Sequence, residues 1–204
     1  MVLTDHSQSL RVAHGLSPKR IGEQIEAVRK LNKKLKGITV LTGSEVDILA
    51  DGSLDYPDDI LKELDFVVAS VHSGFRQSKA EITRRIVRAM RNKHVRLIAH
   101  PTGRLIGERE AYEVDLEEVF EVARETHTAL EINGQPSRLD LNDVHAQGAR
   151  EAGVMLAVDA DAHSTEQFDC LAYGIGQARR AGCERKHILN TLSLHELRKK
   201  IAGK

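Results

Sequence analysis

Tryptophan is absent and aromatic residues make up only 3% of the chain, which leaves little flat surface for stacking on bases. Only two cysteines occur, Cys170 and Cys183, and they do not form a CxxC. That excludes a disulfide framework and a cysteine-type zinc site. Net charge is absent too: 30 Lys+Arg balance 30 Asp+Glu, so the long-range field of a nucleic-acid coat protein or a basic membrane clamp is missing. No apolar run approaches the roughly 18 residues of a membrane-spanning helix, and the N-terminus lacks a basic-then-apolar signal segment. The chain therefore reads as cytoplasmic. No low-complexity linker or charge block divides it, and 41% hydrophobic content over 204 residues supports one domain spanning 1–204.

What the chain does contain is regular alternation. Short runs rich in Val, Ile and Leu predict strands at 2–4, 38–42, 65–71, 95–99, 129–132 and 154–158. Stretches of helical period between them predict helices at 18–35, 57–63, 78–92, 115–126, 140–152, 172–181 and 193–202. Ser17-Pro18 is a cap followed by proline at the first helical position, and Ser193 with Glu196 forms a capping-box pattern. Runs such as Phe66-Val67-Val68-Ala69 predict strands covered on both faces, hence an α/β fold with a parallel sheet.

Ten histidines are the unusual surplus, and several fall at the ends of the apolar runs. His6, Glu45, His72, His100, Asn133 and Asp161 follow one another about 30 residues apart, the length of a strand-helix unit. His163 stands two residues beyond Asp161. Residues so spaced converge on the C-terminal rim of the strands, where ligands and catalysis sit in folds of this kind. Imidazole with carboxylate suits Zn, Mn or Fe, and such ions activate water and clamp the oxygens of a phosphoester. Metal ligands are thus predicted at His6, Glu45, His72, His100, Asp161 and His163. Arg11, Arg76, Arg104, Arg109 and Arg138 all lie in loops after predicted strands, which suggests a phosphorylated substrate.

Other features read as structural. His14, His94, His127, His145, His187 and His195 lie away from strand ends. Arg84, Arg85, Arg88 and Arg91 recur among apolar residues of one predicted helix and read as its solvated face. Gly174-Ile175-Gly176 lacks the third glycine and the strand-to-helix position of a dinucleotide loop, and Asp51-Gly52-Ser53 reads as a turn rather than a calcium loop.

Several long motifs carry a family resemblance: TDHSQSLRVAHGLS (4–17), GSEVDILADGSLDYPDDIL (43–61), LDFVVASVHSGF (64–75), IAHPTGRLIGERE (98–110), ALEINGQPSRLDLND (129–143) and DADAHS (159–164). In these the chain resembles the PHP (polymerase and histidinol phosphatase) domain, in the version found in bacterial family X DNA polymerases. The resemblance implies a distorted (β/α)7, TIM-like barrel and up to three divalent ions, Mn or Zn. It also implies 3'-to-5' exonuclease or related processing of DNA 3' ends. Glu45 would bridge ions, His72 and His100 would complete one, Asp161 would bind a second, and His6 with His163 a third, with Asp5 in support of His6. The family opens with a His-x-His strand that nothing before Val2 matches. The expectation is therefore a barrel shortened by about one strand, holding fewer ions, with an exposed sheet edge open to self-association or a partner chain. Two further readings follow: a small-molecule phosphatase of the histidinol-phosphatase kind, or a catalytically inactive structural domain.

Overall fold

The computed structural model describes residues 1–202. Six strands, β1 (Val2–His6), β2 (Leu41–Asp47), β3 (Phe66–Ser70), β4 (Val95–Ile98), β5 (Ala129–Asn133) and β6 (Leu156–Asp159), form one sheet in sequential order, every pair parallel. Between and after them come α1 (Pro18–Asn32), α2 (Asp58–Leu61), α3 (Lys79–Met90), α4 (Leu116–Glu125), α5 (Asp143–Glu151), α6 (Leu171–Arg180) and α7 (Leu194–Ala202). This is the alternating α/β, TIM-like arrangement expected, with the sheet open: β1 and β6 are its edges. Among the described residues no helix is long and apolar enough to cross a membrane.

Strand alternation divides the sheet into two faces. Val46, Val67, Ala69, Ile98, Leu130, Ile132, Leu156 and Val158 face the main core, which the buried sides of α1, α3, α4 and α5 complete. Phe66, Val68, Leu97, Ala99, Ala129 and Ala157 face the other way, into a second apolar cluster covered by Leu189, Leu192 and Leu197. Burial on both faces is why β3 and β6 read as nearly continuous apolar runs.

Two boundaries moved for identifiable reasons. Helix α1 stops at Asn32, short of the predicted 35, because the Asn32 side chain bonds both the N–H and the C=O of Val40 at 2.9 and 2.7 Å and turns the chain into β2. Strand β2 runs to Asp47 instead of ending at 42, since Thr42, Ser44, Glu45 and Asp47 are buried polar residues that an apolar-run criterion passes over. Gly174 and Gly176 lie inside α6, and the Asp51 carboxylate caps the turn at Ser53, as expected for structural roles.

Helix α3 begins with a complete capping box, Ser78 accepting from the Glu81 N–H and Glu81 accepting from Ser78. Ser78→Ala is expected to cost about 1 kcal/mol, read as a lower urea midpoint at unchanged slope. On the same helix Arg85 corrects the expectation of a solvated arginine face: it is 0% exposed. Its position is three or four residues from Ile82 and Ala89, which puts it on the buried stripe.

Candidate metal centre

The inward face of the sheet changes character along the strands. Its lower half is the apolar cluster of Phe66, Val68, Leu97, Ala129 and Ala157. Two residues further along each strand the same face presents Glu45 and Asp47 on β2, Ser70 and then His72 past β3, Glu131 and Asn133 on β5, and Asp159 on β6. His6 on β1 pairs in register with Glu45, and Asn133 with Asp159.

All six predicted ligands fall into one continuous group. Glu45, 6% exposed, is its centre. Its Oε2 lies 3.3 Å from His6 Nδ1, and its Oε1 lies 3.3 Å from His72 Nε2 and 3.0 Å from His100 Nε2. The His6 ring stands 5.2 Å from that of His72 and 5.9 Å from that of His163, centroid to centroid. Asp161 joins from the β6 side: its Oδ1 is 3.7 Å from His163 Nδ1, and its Oδ2 accepts from Asn133 at 3.1 Å. His100 and Asp161 both take left-handed backbone angles, φ +30° and +43°, a strain that clusters where side chains must be aimed. Ligand atoms of His6, Glu45 and His72 all lie within 4.8 Å of one another.

Burial alone would raise the Glu45 carboxyl, yet the hydrogen bond from His100 and the charges of His100, His72 and His6 hold it well below the usual carboxylate range. Burial lowers His6. For His72 the Asp47 hydrogen bond and the Glu45 charge outweigh burial and raise it. Burial and neighbouring carboxylates push Glu131 up, and burial with the Asp161 charge pushes Asp159 up to about 7. Five carboxylates converge here, Glu45, Asp47, Glu131, Asp159 and Asp161, and an inward face so rich in acid favours a cation.

The rim arginines separate by environment. Arg138 approaches the group, its Nε 3.5 Å from Asp161 Oδ2 and its Nη1 buried without a hydrogen bond. Arg104 donates to the carbonyls of Arg138 and Leu139, and Arg109 donates to Gly103 O while stacking over Phe75 at 4.0 Å. Arg11 and Arg76 are exposed. Asp5 does not support His6: alternation turns it away, and its carboxylate accepts from Gln24 of α1.

A family model described as multi-copper polyphenol oxidoreductase laccase matches residues 60–171. That stretch includes His72, His100, Asp161 and His163 but not His6 or Glu45. Longer matches point elsewhere. Over 197 residues the chain is 47% identical to the DNA polymerase/3'-5' exonuclease PolX of Bacillus subtilis (strain 168), covering 97% of this chain and 35% of that protein. It is 32% identical over 192 residues to a probable phosphatase of Thermoanaerobacter sp. (strain X514), covering 86% of this chain and 76% of the relative. Its fold matches the histidinol phosphate phosphatase of Lactococcus lactis, solved with Zn, L-histidinol and phosphate, at a TM-score of 0.56 and 14% identity over 80% of this chain and 75% of that one. The chain belongs to the PHP family. The longer matches decide against the partial laccase model because the polymerase alignment extends over Glu45, the residue on which the site converges. The names of these relatives, an exonuclease and phosphatases, share the hydrolysis of phosphoesters. This PHP chain spans about a third of the length of its polymerase relative.

Sequence reasoning placed the PHP histidines at strand ends and treated Asp47, Glu131 and Asp159 only as neighbours of other residues. Alternation was the signal available: Glu131 is two from inward Ala129, and Asp159 two from inward Ala157. Glu131 accepts from the His100 N–H and, at 3.3 Å, from Asn133, so it braces the loop that carries His100.

Proposed function

We propose that the inward-facing cluster is a divalent-metal centre at which the chain hydrolyses phosphodiesters at DNA 3' ends. One observation carries the metal reading: Glu45 has both oxygens 3.0–3.3 Å from three imidazole nitrogens. Bonds of about 2.0–2.1 Å to one tetrahedral ion place neighbouring ligand atoms about 3.3 Å apart, so the donors stand at the spacing of shared coordination. In this reading Glu45 would be shared between ions, His72 and His100 would hold one, Asp161 a second, and His6 with His163 a third. Divalent ions held there supply an activated water and offset charge on the phosphoryl oxygens.

The protein's own residues bind and orient. Arg138, whose Nε lies 3.5 Å from Asp161 Oδ2 and whose Nη1 makes no hydrogen bond, would hold a non-bridging phosphate oxygen, and the exposed Arg11 and Arg76 would serve further phosphates of a strand. Arg104 and Arg109 act through the loops they brace. Identity with the polymerase relative favours DNA over a phosphorylated small molecule, the substrate class of the histidinol phosphatase likeness. Mn is the first ion to try, Zn the second. The chain works as one domain in the cytoplasm, and its β1 edge is the place for self-association.

The test is release of nucleotides from the 3' end of a labelled single-stranded oligonucleotide. Treatment with a chelator is expected to reduce cleavage to background, and added Mn or Zn to restore it. Cleavage indifferent to the chelator overturns the metal reading. Preference for a phosphomonoester replaces DNA by a small substrate, and a chain inert toward both is a structural domain.

A further inference from the structure

Glu45 and Asp47 stand two apart on β2 and therefore share the inward face, and they grip His72 from opposite sides of its ring. Nε2 lies 3.3 Å from Glu45 Oε1, while Nδ1 lies 2.7 Å from Asp47 Oδ1. Asp47 is itself clamped by the loop that follows β1: Ser9 Oγ donates to its Oδ2 at 2.5 Å, and its backbone N–H donates to Ser7 Oγ at 2.9 Å. It is 6% exposed, so water does not compete for these bonds. Ser70 Oγ, 3.2 Å from the same Nδ1, is the remaining neighbour on that side.

A carboxylate oxygen only accepts, so the 2.7 Å contact places a ring proton on Nδ1, and in the neutral imidazole the lone pair is then on Nε2. That lone pair faces a carboxylate oxygen 3.3 Å away, an arrangement of two acceptors that a cation between them satisfies. We infer that Asp47 is a positioning residue, which holds His72 in the Nδ1–H tautomer with Nε2 presented to the ion beside Glu45, and that Ser7 and Ser9 make the β1 loop part of this lock. The inference rests on the metal reading above and adds which nitrogen of His72 binds and what aims it. Removing such a carboxylate from behind a ligating imidazole lowers metal affinity about 10–100-fold.

Two measurements test it. Long-range proton–nitrogen NMR of the chelator-treated wild-type protein in mildly alkaline buffer is expected to show His72 protonated on Nδ1, with the resonance assigned by its loss in His72→Asn. Finding the proton on Nε2 overturns the proposal without any variant of Asp47. Titration with Co(II), followed by its visible absorption, is expected to give an affinity about 10–100-fold weaker for Asp47→Ala than for wild type, and an intermediate loss for Ser9→Ala, which removes the hydrogen bond to Asp47 but leaves every proposed metal ligand in place. Equal affinities in all three proteins overturn the proposal. Wild-type protein that binds no Co(II) refutes the metal reading instead, and the NMR result then stands on its own.

Discussion

Glu45→Gln is expected to lower metal-dependent cleavage at least about 10³-fold while leaving the fold in place. Glutamine keeps the shape of the buried side chain, but it replaces one oxygen by a donor and removes the charge that faces His6, His72 and His100 at 3.0–3.3 Å. The centre then holds three imidazoles without the anion that faces them, and in the proposed reading the ions would lose a shared ligand. Circular dichroism of the metal-free variant is expected to match wild type. Added Mn should raise the melting temperature of wild type and leave that of the variant unmoved, because a ligand stabilises only the state that binds it. Cleavage at the wild-type rate in Glu45→Gln would place the chemistry elsewhere.

The largest effect on stability is expected from Arg85→Met. The guanidinium is buried and donates to Ile48 O at 2.6 Å, Leu49 O at 2.9 Å, Ser73 O at 2.9 Å and Gln77 Oε1 at 2.5 Å. Its hydrogen bonds go to three backbone carbonyls and one side-chain amide oxygen, none of them a carboxylate. Burial lowers its pKa, which marks the desolvation those bonds must offset. Methionine fills similar volume and leaves the carbonyls unpaired, at a cost of about 3–5 kcal/mol. In a chain of this size that is a fall of about 10 °C in melting temperature. Ile48 and Leu49 directly follow the strand that carries Glu45 and Asp47, and Ser73 follows His72. Metal affinity should therefore fall together with stability, and a variant that melts within about 2 °C of wild type would refute this account.

Arg85 also shows where reading the sequence stops short. A buried arginine and a solvated one look alike in composition, and four arginines on one helix invite the solvated reading. The spacing from Ile82 through Arg85 and Ile86 to Ala89 was the overlooked sign that one of them faces inward. The strand that carries Glu45 was cut short in a similar way. It is polar because it lines a site, so a search for apolar runs ended it at Thr42 and set Glu45 just past its end instead of within it. Asp47, Glu131 and Asp159 were hidden for the same reason: an acid is ordinarily a surface residue, and only the fold shows that these are not.

The order and type of the strands and main helices, the two-sided burial of the central strands and the candidate ligands that gather with Glu45 were legible in the sequence alone. Apolar period, capping residues and the repeat length of a strand-helix unit are local properties, written within windows of a few residues to a few tens. What the tertiary structure decided is which of those side chains meet. Glu45 reaches His100, 55 positions away, because parallel register brings β2, β3 and β4 side by side, alternation turns Glu45 inward, and the left-handed backbone at His100 just past β4 breaks the alternation there. The same packing occupies Arg104 and Arg109 with carbonyls and leaves Arg138 beside Asp161. Contacts between distant strands depend on register, and register is set by the whole sheet at once.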